Sequence, residues 1–216
     1  MGIISTQEIK TRGKELVRLL KLTYPQAECS LNYSSPLELL VATILSAQCT
    51  DRRVNLVTPG LFKTYASVEA YAYGDLQALA ARIKSCGFFN QKARSIQGAC
   101  LKIVEEYGGH VPGSMDELIQ LPGVGRKTAN CVLGECFNQP ALVIDTHMIR
   151  IMNLLSFTKT KDPRKIENEL MEIFEKKEWV ILTHRIIAHG REICISRRPR
   201  CPDCTLANIC PSYTPE

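Results

Sequence analysis

No stretch of the 216-residue chain approaches the roughly 20 apolar residues of a membrane span, so no membrane partner is expected. The opening MGIISTQEIKTRGKELVRLL carries a lysine or arginine every few residues and lacks the continuous apolar core of a secretory signal. An intracellular, reducing location is therefore expected. Alternating apolar and polar residues are missing, as are internal repeats and low-complexity segments, which argues against strands, solenoids and arrays. With 45% hydrophobic and 23% charged residues the composition also excludes disorder, collagen and coiled coil. Neither sign of charge dominates. The net +5 permits a polyanionic partner without requiring one.

What the sequence does contain is a succession of helix signals. Ser35-Pro36-Leu37-Glu38 combines an N-cap serine, proline at the first helical position and a glutamate placed for a capping box. Leu37, Leu40, Val41, Ile44 and Leu45 follow at helical spacing and predict one buried face. Asp51 is expected to cap a short helix through Val57, with Pro59 ending it. Ser67 and Asp75 read as further caps, and Asn90 as the start of a longer helix leaving at Gly108-Gly109. Ser114 to Glu117 form a second capping box, and another helix is expected from Gly125 to about Phe137. Asp145 can cap the next, with Ile149, Met152 and Leu155 on its apolar side. Asp162-Pro163 opens one more, and Glu178 to His189 another, closed by Gly190. The fold class is all-α, with roughly ten short helices.

Between two of these helices runs Leu121-Pro122-Gly123-Val124-Gly125-Arg126-Lys127-Thr128-Ala129. Gly123 and Gly125 allow a tight turn that brings backbone N–H groups to an open surface. The following helix adds its positive N-terminal end, so an oxyanion such as a DNA phosphate is the natural ligand. A bare G-x-G is most often only a sharp connection; the full string between two helices tips the balance to phosphate. Lys127 lies in the first turn, where the helix dipole and neighbouring Arg126 disfavour a charged ammonium. It can serve as a nucleophilic amine toward an aldehyde-like carbon or as one more phosphate contact, and position alone does not separate the two. Asp145, in Val143-Ile144-Asp145-Thr146-His147, is a carboxylate emerging from an apolar run. It reads as a plain N-cap, or as a cap with one oxygen facing an active site.

Ten cysteines stand out in a chain expected to be intracellular. Cys29, Cys49, Cys86, Cys100, Cys131 and Cys136 lie among apolar neighbours and read as small buried side chains. Cys194, Cys201, Cys204 and Cys210 crowd into 17 residues as C-x6-C-x2-C-x5-C, the pattern of a four-thiolate metal site. A single Cys-x-x-Cys pair flanked by lone cysteines favours one iron–sulfur cluster over a zinc ribbon. Residues 189–200 carry four arginines against one acid, which balance an anionic cluster, lie against phosphates, or do both.

The hairpin LPGVGRKTA, then VIDTH, then the four-cysteine tail resemble, in this order, the endonuclease III family of DNA glycosylases. The resemblance runs from Ser46-Ala47-Gln48 to Cys210. It implies a bifunctional glycosylase and AP lyase acting on duplex DNA that contains damaged bases, oxidised pyrimidines among them, or abasic sites. Lys127 matches the nucleophile that attacks C1′ of the flipped-out nucleotide, and Asp145 the carboxylate that assists it. Cys194, Cys201, Cys204 and Cys210 match the ligands of a [4Fe–4S] cluster. Implied too are a six-helix barrel domain at 29–139 and a cluster domain of 1–28 with 140–216, the site lying in the cleft, and a monomeric chain. An enzyme that extrudes a base needs side chains to fill the gap. Gln48 matches the gap-filling residue, and Phe88 the apolar wedge. Leu121, Gly123, Gly125 and Arg126 carry the DNA contacts of the hairpin; His147 lies near the DNA or supports a neighbour by hydrogen bonding. Adenine-specific relatives carry a small residue at the Lys127 position and an acid at the Thr43 position. A non-enzymatic hairpin module with structural zinc is the alternative of another class.

Overall fold

The computed structural model describes residues 6–214; residues 1–5 and 215–216, the ends of the expected cluster domain, lie outside the described residues. Every regular element among the described residues is helical. The eleven α-helices are α1 (Thr6–Thr23), α2 (Pro36–Ser46), α3 (Asp51–Thr64), α4 (Val68–Tyr73), α5 (Leu76–Arg82), α6 (Phe89–Tyr107), α7 (Met115–Leu118), α8 (Arg126–Cys136), α9 (Thr146–Leu154), α10 (Pro163–Ile173) and α11 (Trp179–Glu192). Single 3₁₀ turns sit at Lys84–Cys86, Lys176–Glu178, Cys201–Asp203 and Ala207–Ile209. The chain divides into two compact units, one of Cys29–Gln139 and one made of the chain up to Glu28 with the chain from Pro140 onward.

The Cys29–Gln139 unit is built around α2. Its residues Leu39 to Leu45 are all buried, so the helix is apolar all round and not on the single face its spacing predicts. The one hydroxyl in that run is absorbed locally, Thr43 Oγ1 donating to Leu40 O at 2.8 Å. Ser35 caps α2 by accepting from Glu38 N–H at 3.3 Å. The Glu38 carboxylate accepts from Ser34, N–H and hydroxyl, at 2.6 and 2.7 Å, so the capping box is closed one residue earlier than expected. Thr50, not Asp51, caps α3, and Asp51 accepts instead from the Ser30 hydroxyl. Pro59 does not end α3, which continues to Thr64. Proline inside a helix costs on the order of 3 kcal/mol. Here the burial of Val54, Thr58 and Leu61 along one face outweighs it.

Three further expectations are corrected. The long helix α6 starts at Phe89, one residue before Asn90, and has no side-chain cap; Phe88 precedes it in the left-handed region at φ 46°. On α9 the buried side chains are Met148, Ile151 and Met152, followed by Leu155, while Ile149 is half-buried. And α11 runs through Gly190 to Glu192. A Cβ at Gly190 would meet the His147 ring at 2.6 Å and Ile151 at 3.1 Å, so this glycine permits close packing of α9 on α11 and does not end the helix. The unit that contains α1 and α9–α11 has its own core, in which Leu16, Leu20, Met148, Ile151, Leu170 and Ile186 are fully enclosed.

Candidate active site and cysteine loop

The hairpin between α7 and α8 is held from both sides. Ser114 accepts from Glu117 N–H at 3.3 Å and donates its hydroxyl to the Glu117 carboxylate at 2.5 Å. Leu121 O then accepts from Val124 N–H at 3.1 Å, closing a turn with Pro122 and Gly123 at its corner. Gly123 has φ 77°, the value that such a turn demands at its third position and that favours glycine. It is also pressed against α6: a Cβ there would lie 2.5 Å from Ser95 Cβ and 2.8 Å from Ser95 Oγ. Leu121, at 2% exposure, and Val124 point into the core, so the Leu121 side chain is part of the hairpin's anchor and not of its surface.

Gly125 is different in kind. Its backbone is extended (φ −94°, ψ 173°), nothing lies within 4 Å of a Cβ placed on it, and it is the N-cap of α8 without a side chain to offer. The first amides of α8 therefore have no side-chain cap, and the space beside Gly125 is open. Arg126 is half-buried and Lys127 exposed in this first turn, while Ala129, Asn130, Val132 and Leu133 fasten the helix to the core.

Two other residues of this unit stand exposed in strained backbone. Gln48 has φ 52° just after α2, and Phe88 has φ 46° just before α6, its ring 67% exposed. Of the two adjacent aromatics, Phe89 is the one that is half-buried. A left-handed conformation costs a residue with a Cβ about 1–2 kcal/mol, a penalty that persists where the surroundings over-determine it.

In the other unit, Ala141, Leu142 and Ile144 are buried, and Val143 N–H donates to Thr183 Oγ1 at 3.3 Å on α11. This extended segment delivers Asp145 to the start of α9. Asp145 Oδ1 accepts from Met148 N–H at 2.8 Å, the N-cap bond, while Oδ2 lies 2.9 Å from His147 Nδ1. The carboxylate is thus both cap and hydrogen-bond partner of His147, its side chain 12% exposed and that of His147 25%.

Downstream of α11, short-range turns curl the chain repeatedly: Arg200 N–H bonds to Ile193 O at 2.9 Å, Cys204 N–H to Cys201 O and Cys210 N–H to Ala207 O, each at 3.1 Å. The result is that Cys194, Cys201, Cys204 and Cys210 line one cavity of about 100 Å3, walled otherwise by apolar groups such as Ile151, Leu155 and Leu206. Among the described residues no three His, Cys, Asp or Glu side chains are grouped to hold a single metal ion. The thiols surround a space in place of converging on one point. Arg150 of α9 reaches the loop, donating to Cys194 O at 2.6 Å and to Cys194 Sγ at 3.2 Å. Burial pushes the Cys194 thiol up, and Arg150 offsets only part of that rise. His189 is buried with Nε2 at 3.7 Å from Cys204 Sγ and Nδ1 at 3.2 Å from the Tyr24 hydroxyl. Burial, and then the Arg150 charge, push its imidazole down to about 4, so it stands neutral beside the thiols. Arg197, Arg198 and Arg200 are exposed, and Arg200 pairs with Asp203 at 3.0 Å.

Sequence reasoning missed Ser95, Arg150 and His189. Arg150 had a signal, since it stands three residues beyond His147 and so on the same helical face. Ser95 had none. Two of the six cysteines expected in the core, Cys86 and Cys100, are buried, whereas Cys29, Cys49, Cys131 and Cys136 are only partly covered. None of the ten is in a disulfide.

An all-helical fold carrying this hairpin has known counterparts. A family model described as HhH-GPD superfamily base excision DNA repair protein matches residues 41–176. Endonuclease III of Synechocystis sp. is 52% identical over 204 residues, covering 94% of this chain and 93% of that protein. Endonuclease III of Bacillus subtilis is 45% identical over 188 residues, 87% and 86% of the two chains. A solved structure of a non-covalent endonuclease III–DNA complex superposes with a TM-score of 0.90 at 41% identity, covering 94% of this chain and 95% of that one. The chain belongs to the endonuclease III family, within the HhH-GPD superfamily.

Proposed function

We propose that Lys127 is the nucleophile, and Asp145 the assisting carboxylate, of a base excision repair enzyme that is both DNA glycosylase and AP lyase. The observation that carries the residue assignment is the hairpin, with an uncapped helix start opening at Gly125 and an exposed lysine in its first turn. Backbone amides at such a helix start bind a phosphate and fix the register of the duplex without reading its sequence. The Lys127 amine then attacks C1′, its N–C1′ bond forming as the glycosidic bond breaks and the base leaves with a proton. Ring opening yields a protonated Schiff base. Loss of the 2′ proton and expulsion of the 3′ phosphate nick the strand by β-elimination. Asp145 takes up the proton from the amine and steadies the positive charge that grows at the sugar. Its hydrogen bonds to Met148 N–H and to His147 hold it in one orientation meanwhile.

Gln48 and Phe88 fill the gap left by the extruded nucleotide, which the exposure and strained backbone of both support. The substrate class is duplex DNA with oxidised pyrimidines or abasic sites, met by a monomeric chain inside the cell. The endonuclease III family carries a [4Fe–4S] cluster, and Cys194, Cys201, Cys204 and Cys210 would hold it here. A soft, all-thiol donor set around a cavity suits a polynuclear cluster better than one zinc ion, whose four sulfurs would converge at about 2.3 Å. Bound, the cluster supplies a covalent tie among four points of the loop.

Borohydride trapping on abasic duplex tests the nucleophile. The wild-type protein is expected to give a covalent complex, and Lys127→Ala to give none while still retaining duplex in a gel shift. Trapping that survived the substitution would overturn the assignment.

A further inference from the structure

Beside the two residues given to gap filling lies a pair of thiols that the proposed chemistry does not use. Cys49 directly follows Gln48, and Cys86 is separated from Phe88 by Gly87 alone. The two side chains interact with each other. Cys86 is buried at 2% exposure, whereas Cys49 is only partly covered, its thiol also directed at Thr50 O at 3.8 Å. Under them sits Lys92, itself 5% exposed, whose ammonium donates to Leu45 O at 2.7 Å and to Cys86 O at 2.9 Å. One buried cation thus ties the end of α2 to the turn before α6, and it holds the two cysteine-bearing segments side by side. Burial, and then Cys49 beside it, push the Cys86 thiol up to about 11, against the pull of Lys92 and Arg53. The partly covered Cys49 is therefore the thiol an oxidant meets first, with the buried Cys86 beside it.

We propose that Cys49 and Cys86 form an oxidative modification site, at which a hydroperoxide joins the two thiols in a disulfide and so lowers the affinity for damaged DNA. In the first step the Cys49 thiolate attacks one peroxide oxygen. The O–O bond breaks, Cys49 becomes a sulfenic acid, and the departing oxygen leaves as water. The Cys86 sulfur then attacks the Cys49 sulfur, loses its own proton and expels the sulfenic oxygen as a second water. Two thiols and one hydrogen peroxide give one disulfide and two waters, the sulfurs oxidised and the peroxide oxygens reduced. The new bond draws the sulfurs to about 2.05 Å, well inside any non-bonded contact. Residues 49 and 86 follow, and with them Gln48 and Phe88, both already in left-handed backbone with little room to absorb the shift. Misplacement by about 1 Å can cost on the order of 100-fold in rate at a catalytic site, and insertion of Gln48 and Phe88 into a duplex depends on geometry in the same way. The effect on affinity rests on the insertion role proposed above for Gln48 and Phe88.

The test uses the protein as purified, with its cluster, treated with hydrogen peroxide and then mapped by mass spectrometry of non-reduced peptides. Binding to a duplex carrying a stable abasic analogue is measured before oxidation, after it, and after a thiol reductant. The expected result is a peptide pair joined through Cys49 and Cys86, affinity weaker by about tenfold or more, and recovery on reduction. Cys49→Ala, a change at the less buried position, should show neither the joined peptides nor the loss. A sulfinic acid at Cys49 without a bridge, a bridge with unchanged affinity, or an equal loss in Cys49→Ala would each overturn the proposal. Reduced protein unable to hold the duplex would count against the proposed function itself, while the peptide map still decides the bridge.

Discussion

Gly123→Ala puts the packing of the hairpin to a quantitative test. Two penalties act together. Alanine at φ 77° takes on the left-handed strain, about 1–2 kcal/mol. Its methyl would also stand 2.5 Å from Ser95 Cβ. Ser95 Oγ can rotate away, but Cβ is fixed to the α6 backbone, so the hairpin or α6 must shift, which typically costs about 1–3 kcal/mol. The sum, about 2–5 kcal/mol, is a large share of the roughly 5–15 kcal/mol that holds a folded protein together. Urea unfolding followed by circular dichroism measures it. In a Ser95→Gly background the contact with Cβ is gone and only the strain remains, so the same substitution should cost about 1–2 kcal/mol there. Gly125→Ala provides the contrast. Its backbone is ordinary and its surroundings open, so stability should stay within about 1 kcal/mol, the poorer N-cap being offset by a less flexible unfolded chain. Affinity for duplex DNA should nonetheless fall, because the methyl stands where the proposed function brings a phosphate. A loss below about 1 kcal/mol for Gly123→Ala, or an equal loss with Ser95 removed, would refute the reasoning.

Asp145→Asn separates capping from chemistry. Asparagine caps as well as aspartate, so the melting behaviour should be nearly unchanged, whereas single-turnover nicking of an abasic duplex should slow by about 100-fold or more; nicking at the wild-type rate would leave Asp145 a cap alone. Arg150→Ala removes the donor to Cys194 O and Sγ, and should speed the loss of visible absorption under a chelator, in line with a binding deficit of about 10–100-fold. Arg150→Lys should restore little, since an ammonium does not reproduce the planar fork. Bleaching at the wild-type rate in both variants would show that Arg150 does not support the cluster.

Six of the helix starts were legible because a cap is a local event. Ser35, Ser67, Asp75, Ser114, Asp145 and Asp162 each accept from an amide two or three residues ahead. Helix ends and faces were less legible. Pro59 and Gly190 carry local signals to stop, yet both helices continue. Burial of Val54 and Leu61 overrides the first, and the close approach of α9 explains the second. The apolar stripe of α2 read as one face because its period is helical; that Leu39 and Ala42 are buried too depends on what surrounds the helix.

The sequence by itself determined the order of the helices, the turn chemistry at Gly123, and the inventory of a lysine, a carboxylate and four crowded thiols. Each of these is carried by a short stretch of chain. Only the tertiary structure decided the partners: Ser95 beneath Gly123, Arg150 on Cys194, Lys92 bridging Leu45 and Cys86. Such pairs lie 6 to 47 residues apart and form only because helices pack in one arrangement. Periodicity tells which face of a helix turns inward, but which side chain it meets there is set by the packing of every other helix.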